Sequence, residues 1–200
     1  MTEDDPRRWR STAHNVVYGN PWIEVSEHAV IDPNGNSGRY GLVHVRNLAI
    51  GVLPIDHAGR VCLVGQHRFP GDYYSWELPE GGGPADVAPL VSAQRELKEE
   101  TGLTARGWLP LLSMDLSNAI TDERARAFLA WDLTEGAPEP EESEALRVKW
   151  LPFGVLLAEV CAGAIRDAFT QTMVLKAEVA FRQGELPAVA AAAIAAGHDV

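Results

Sequence analysis

The stretch GGGPADVAPLVSAQRELKEETGL, running from Gly81 to Leu103, decides how the rest of the chain is read. Pro89 stands near a first-turn position, where its missing N–H costs nothing, and Gly102 suits the residue that ends a helix. A helix between them follows. Each helical residue advances ~100°, so with Glu96 at zero, Glu99 falls at about −60° and Glu100 at about +40°. Three carboxylates therefore share one narrow face. Leu90, Ala93 and Leu97 lie at roughly +60° to +120°, an adjacent apolar face that seats the helix on a sheet, while Gln94 and Lys98 point to solvent. Clustered like charges repel, which invites a divalent cation, and oxygen-only ligands favour Mg2+ or Mn2+. A solvated face laced with salt bridges from Arg95 and Lys98 is the other reading, and the helix alone leaves both open.

Around that helix the chain is short and acidic. Its 200 residues suit one domain with a small addition at either end, and 46% hydrophobic content supplies a packed core. A formal net charge of −11 opposes attraction to phosphate backbones and anionic surfaces, so neither nucleic acid nor membrane is expected as a partner. Cys62 and Cys161 show no disulfide or zinc spacing, and each is expected to be a small buried hydrophobe. The opening MTEDDPRRWR lacks an apolar core, and the uncharged apolar tract from Leu186 to Gly197 is shorter than the ~20 residues of a membrane helix. A cytoplasmic location is the expectation.

From His14 to Arg46 short apolar runs alternate around the turn cluster IDPNGNSG, predicting an antiparallel strand extension. LAIGVLPI and RVCLVGQHR flank DHAG, which predicts a hairpin. Downstream, strands are predicted at about Trp108 to Leu116, Ala125 to Trp131 and Leu146 to Leu151, with Trp76, Trp108, Trp131 and Trp150 as core residues. FGVLLAEVCAGAI and RDAFTQTMVLKAEVAF have helical spacing. The Ala-rich end reads as a short helix or a loose tail. The expected organisation is an N-terminal β extension over 1–46, a central unit over 47–182 and a C-terminal tail over 183–200.

Gly81, Arg95, Glu96, Leu97, Glu99, Glu100, Gly102 and Leu103 match in register the Nudix box, G-x5-E-x7-R-E-U-x-E-E-x-G-U, where U is a bulky aliphatic residue. The chain thus resembles the Nudix hydrolases. The resemblance implies an α+β fold, a mixed β-sheet sandwiched by helices, with the 47–182 unit as the hydrolase domain. It also implies Glu96, Glu99 and Glu100 as metal ligands, with Glu100 and Arg95 in the catalytic machinery. The first Glu of the box is replaced by Val87, with Asp86 as its nearest substitute. That departure bears on local loop geometry more than on metal binding.

Upstream, VGQHRFPGDYYSWELPEGG resembles the segment before the box in the ADP-ribose pyrophosphatase and nucleoside-diphosphate-sugar hydrolase branch. Gln66, Arg68, Glu77, Pro79 and Gly82 carry that likeness, which implies Arg68 and Glu77 as substrate-binding residues. Arg68 offers paired donors to a diphosphate, or else is a sheet-edge arginine paired with Glu77. The resemblance implies a metal-binding backbone carbonyl at Glu80. It sets Glu142 as general base and Glu144 as a further metal ligand in the acidic loop EGAPEPEESE, where a one-residue slip would bring in Glu141. Glu123 falls where relatives face the substrate, or is an ordinary loop acid. The N-terminal extension resembles an arm that makes a homodimer with shared sites, so that Trp22 and Tyr18 stack on adenine or else pack in a core or interface.

The implied activity is hydrolysis of the diphosphate bond in a nucleoside diphosphate linked to another group, with ADP-ribose giving AMP and ribose 5-phosphate as the first expectation. A non-catalytic sensor of such nucleotides is the alternative, supported by Val87. RNA decapping is disfavoured by the charge and the lack of a basic stripe.

Overall fold

The structure, a computed structural model, describes residues 8–139 and 145–199. Strands β1 (Arg10–Gly19), β2 (Ile23–Ile31) and β3 (Ser37–Val45) form an antiparallel sheet in that order. Asp32 shapes the β2–β3 turn by accepting from the main-chain nitrogens of Asn34 and Asn36, both at 2.8 Å. Every residue of β1 is exposed, and β2 pairs with one of its edges.

The apolar run LAIGVLP becomes β4 (Leu48–Pro54), and RVCLVGQHR becomes β5 (Arg60–Arg68). The expected turn is present, with Gly59 N donating to Asp56 O at 3.0 Å and Gly59 at φ +77°, yet the two strands are not a pair. An isolated Ile55–Val61 bridge follows the end of β4, and the two strands enter different sheets. Ile50 to Pro54 are all buried, and a continuous apolar run of that kind suits a strand inside a mixed sheet rather than one arm of a hairpin. β4 pairs antiparallel with β7 (Glu80–Gly83) and parallel with β9 (Arg124–Thr134), which in turn pairs with β8 (Thr104–Asp115). β5 instead lies between β6 (Tyr73–Glu77) and β10 (Arg147–Pro152).

Helices cover both sides of these sheets. On one face α1 (Pro89–Thr101) sets Ala93 and Leu97 against Ile50, Val52 and Phe128. Leu90 was expected on this face, but it is exposed, because the buried positions of the helix begin at Ser92 and Ala93. On the other face α2 (Phe153–Cys161), α3 (Ala168–Arg182) and α4 (Ala188–His198) pack Phe153, Leu156, Met173 and Ile194 onto Leu53, Leu63 and Leu129. Each such side chain contributes ~1.5–3 kcal/mol when fully buried. The architecture is therefore the expected mixed sheet between helices.

The Ala-rich tract takes the helical form of its two readings. Its Gly197 fits against Gly59 so closely that a Cβ on Gly59 would lie 2.1 Å from Gly197 N. Glu178 of α3 ties the two helices by accepting from Arg182 Nε at 2.5 Å and meeting His198 Nε2 at 2.8 Å. Cys62 is buried in β5 as expected, but Cys161 is exposed, since it closes α2 where the chain turns away from the core. Trp76 and Trp131 pack on the rim of the larger core and Trp108 and Trp150 on that of the smaller. Tyr18 and Trp22 are exposed, which removes core packing as their role in this chain.

Candidate active site

Helix α1 delivers its carboxylates to the edge of β7. Glu96 and Glu100 are buried and Glu99 is half-buried. Gly81 is small because it must be: a Cβ there would stand 2.3 Å from Glu96 Oε2. Glu100 Oε2 accepts from Glu80 N at 3.0 Å, which fixes the start of β7 over the helix. Arg95 donates to Glu99 Oε2 at 2.5 Å, to Glu96 Oε1 at 2.5 Å and to Gly82 O at 2.8 Å. Burial alone would weaken its charge, but Glu96 and Glu99 outweigh that and raise its pKa. Arg95 is thus held by Gly82, Glu96 and Glu99, while Asp86 is exposed and Val87 N turns back to Pro84 O at 3.0 Å.

On the other side of Gly81 a second acidic group converges. Glu77 ends β6, Glu80 begins β7 and Asp167 caps α3, and each offers an oxygen within 4.8 Å of the others. Arg68, at the end of β5, donates Nε to both Glu77 oxygens at 3.0 Å and Nη2 to Glu80 Oε1 at 2.7 Å, with a further very short contact to Glu77. The paired form of Arg68 is therefore the one present. Burial, then Asp167 and Glu77, push the Glu80 carboxyl well above the usual range against the opposing pull of Arg68. Glu80 thus brings its side chain as well as its main chain, although the resemblance pointed to the carbonyl alone. Asp167 had no place in the sequence reading; the signal available was D-x-x-T, since Asp167 caps α3 by accepting from Thr170 N at 2.5 Å.

These groups open onto a cleft of about 280 Å³ lined by Arg68, Glu80, Gly81, Glu123, Asp167 and Phe169. Glu123, at the mouth of β9, faces the same space as Arg68, and burial with nearby Asp122 raises its pKa. Its loop is anchored on β3, where Val43 N donates to Ile120 O at 2.9 Å and Val45 N donates to Asp122 Oδ1 at 3.0 Å. A larger cleft of about 620 Å³ contains Arg46, Asn47, Pro89, Arg124 and Arg126. It lies on the α1 face of the sheet. The small cleft lies on the α3 face, since the pair Ala49–Ala125 points to α3 and the next pair, Ile50–Arg126, to α1. Trp22 lines neither cleft and stands exposed at the start of the second strand region. Glu142 and Glu144, with Glu141, lie outside the described residues.

The donor set suits a hard divalent cation: carboxylates on both sides of Gly81 and a Glu80 Oε2 that is buried without a hydrogen-bond partner. Among the described residues no helix is long and apolar enough to cross a membrane.

Comparison with known proteins agrees with this geometry. The family model of the NUDIX domain matches residues 45–171. An ADP-ribose pyrophosphatase of Mycobacterium tuberculosis is 35% identical over 132 residues, which span 64% of this chain and 63% of that enzyme. A CMP-5'-(N-acetyl-N-hydroxy-3-aminopropyl)phosphonate hydrolase of Streptomyces rubellomurinus is 32% identical over 147 residues, 72% of this chain and 70% of its own. A solved structure described as an ADP compounds hydrolase superposes with a TM-score of 0.79 at 18% identity, covering 90% of this chain and 97% of that one, a likeness of fold. With Glu96 against Gly81, Glu100 bonded to Glu80, Arg95 bonded to Gly82 and the domain match covering residues 45–171, this protein belongs to the NUDIX family.

Proposed function

We propose that the chain hydrolyses the diphosphate bond of a nucleoside diphosphate linked to another group, with ADP-ribose, yielding AMP and ribose 5-phosphate, as the substrate favoured by the mycobacterial relative. One observation carries the proposal: the carboxylates of α1 and the cleft holding Arg68, Glu80 and Glu123 meet at Gly81. Glu96, Glu99 and Glu100, with the Glu80 carbonyl, would hold Mg2+ or Mn2+. Such a cation supplies charge neutralisation for the diphosphate and a lowered pKa for an attacking water. Arg95 holds Glu96 and Glu99 at fixed positions. The Arg68 guanidinium, seated on Glu77, presents donors to phosphoryl oxygens, and Glu123 faces the group beyond them. Glu142 would take a proton from water and Glu144 would help to hold the cation, both assigned by resemblance alone.

The remaining assignments belong to the same proposal. Residues 1–46 act as a dimerisation arm whose exposed Trp22 and Tyr18 stack on a nucleobase in a homodimer, residues 47–182 are the hydrolase unit, and 183–200 follow it, with α4 packed against Gly59. The proposed location is cytoplasmic, without nucleic-acid or membrane partners.

The test is a panel of ADP-ribose, sugar nucleotides and dinucleotides with Mg2+ and product identification. EDTA or Glu100→Gln should lower the rate by at least about a hundredfold. Hydrolysis that survives both overturns the metal assignment, and tight ADP-ribose binding without turnover would instead favour the sensor.

A further inference from the structure

The larger cleft, of about 620 Å³, has no part in the proposed hydrolysis, and three arginines line it in a chain whose formal net charge is −11. It lies where the start of β4, the loop into α1 and the β8–β9 hairpin meet. Side chains alternate along β9, so Glu123 and Ala125 turn to the α3 face, while Arg124 and Arg126 turn to the α1 face and into this cleft. The sheet therefore stands between these two arginines and the cleft of Arg68. Along α1, Glu96 lies about 10 Å beyond Pro89, so the carboxylates of that helix are removed from it as well.

Carboxylates are abundant in this chain, and Arg39, Arg60, Arg68, Arg95 and Arg182 each hold one. Arg124 holds none. Among the described residues its side chain makes neither an ion pair nor a hydrogen bond, although Asp115 stands opposite it in the β8–β9 ladder. Arg126 is in no ion pair among these residues either, and its Nη1 donates to Ala125 O at 2.9 Å, which leaves its other N–H groups open. Arg46, the third arginine, is already committed to Asn20 O at 3.2 Å and Glu24 Oε2 at 3.5 Å.

The acids of the cleft do not cancel the pair. Asp122 is spent on His44 Nδ1 at 2.5 Å and on Val45 N at 3.0 Å. The wall before α1 contributes Ala85 and Pro89 and no carboxylate, and here the departure at Val87 counts, because the box pattern places a glutamate in that loop. Asp115 keeps its oxygens open, with no hydrogen bond among the described residues. Two guanidiniums with free donors thus stand beside one free carboxylate and an apolar wall of Leu48 and Pro89. Guanidiniums pair with phosphate oxygens and a carboxylate accepts from a hydroxyl. The volume falls within the ~300–1,000 Å³ of small-molecule sites.

We infer that this cleft is a second ligand site, which takes a sugar phosphate monoester with its phosphate on Arg124 and Arg126 and a sugar hydroxyl on Asp115. The site does not depend on the proposed hydrolysis. The experiment is calorimetric titration of the full chain, in EDTA, with ribose 5-phosphate, ribose and inorganic phosphate. It uses the wild type, Arg124→Gln/Arg126→Gln, Asp115→Asn and Arg68→Lys, with circular dichroism and melting to check each fold. Ribose 5-phosphate should bind the wild type and Arg68→Lys alike, and Arg124→Gln/Arg126→Gln should weaken it by at least about tenfold. Asp115→Asn should weaken ribose 5-phosphate while leaving inorganic phosphate as it was. No binding by the wild type, binding unchanged in Arg124→Gln/Arg126→Gln, or binding lost in Arg68→Lys overturns the site. Inorganic phosphate or ribose bound as tightly as ribose 5-phosphate overturns the ligand class. A wild type that binds ribose 5-phosphate here but hydrolyses nothing on the panel would fail the proposed function and leave this site standing.

Discussion

Gly81 lies over Glu96 with no room for even one more carbon, since a Cβ would meet Glu96 Oε2 at 2.3 Å. The glycine is required here for close approach rather than for an unusual backbone angle. Gly81→Ala should push the Glu96 carboxylate aside, and a shift of ~1 Å at a reacting centre costs about a hundredfold in rate. Steady-state hydrolysis of ADP-ribose, beside an unchanged circular dichroism spectrum, tests this. An alanine variant as active as the wild type would show that the Glu96 position is not critical.

Arg68 matters to the stability of the fold. Glu77 is only 2% exposed and has Arg68 as its hydrogen-bond donor, so Arg68→Ala strands a buried charge. Removing one partner of a buried pair costs ~3 kcal/mol or more. Urea unfolding at neutral pH should register that loss. Arg68→Lys should recover part of it, because one ammonium cannot reproduce the fork of a guanidinium.

Acid should loosen the junction of α3 and α4. Burial would raise the Glu178 carboxyl, yet the hydrogen bonds from Arg182 and His198 outweigh it and hold its pKa below the ordinary 4.5. A depressed carboxylate stabilises the fold above its unfolded value and loses that contribution as pH falls through the folded one. Stability should therefore drop below pH 4.5, in the window ending at the depressed value. Glu178→Gln should lower the melting temperature at pH 7 and flatten this acid limb. A variant with the same acid limb as the wild type would remove Glu178 from the account.

The two thiols should behave differently. Cys161 is exposed, whereas Cys62 is buried and its pKa is pushed up to about 12 by burial first, then by Glu100 and Glu135. Titration with Ellman's reagent should find one reactive thiol in the native protein and two in denaturant. Two in the native state would mean that the β5 region opens readily.

Legibility in the sequence followed the range of the forces involved. Helix α1 was readable because Pro89 and Gly102 act locally, whereas spacing alone did not show that Arg95 would tie Glu96 and Glu99 while Glu100 turns to the main chain of Glu80. The partners of β4 were not readable, since a turn at Asp56 to Gly59 specifies a reversal and says nothing about which edge each strand will find. Asp167 advertised a helix start, but its approach to Glu80 depends on how α3 docks across β4. Cys161 and Leu90 have apolar neighbours in sequence and still reach solvent, because burial ends where a helix passes its support.

The parallel pairing of β4 with β9 sets Ala49 beside Ala125, with β5 to β8 and α1 lying between them in the chain. During synthesis the ribosome must release all of that intervening sequence before the most apolar strand of the protein can acquire its neighbour. Contacts so distant along the chain slow folding and leave sticky segments uncovered meanwhile. Substitutions in the β8–β9 hairpin should thus show themselves first as poor yield and dependence on chaperones, even where the finished fold is hardly altered.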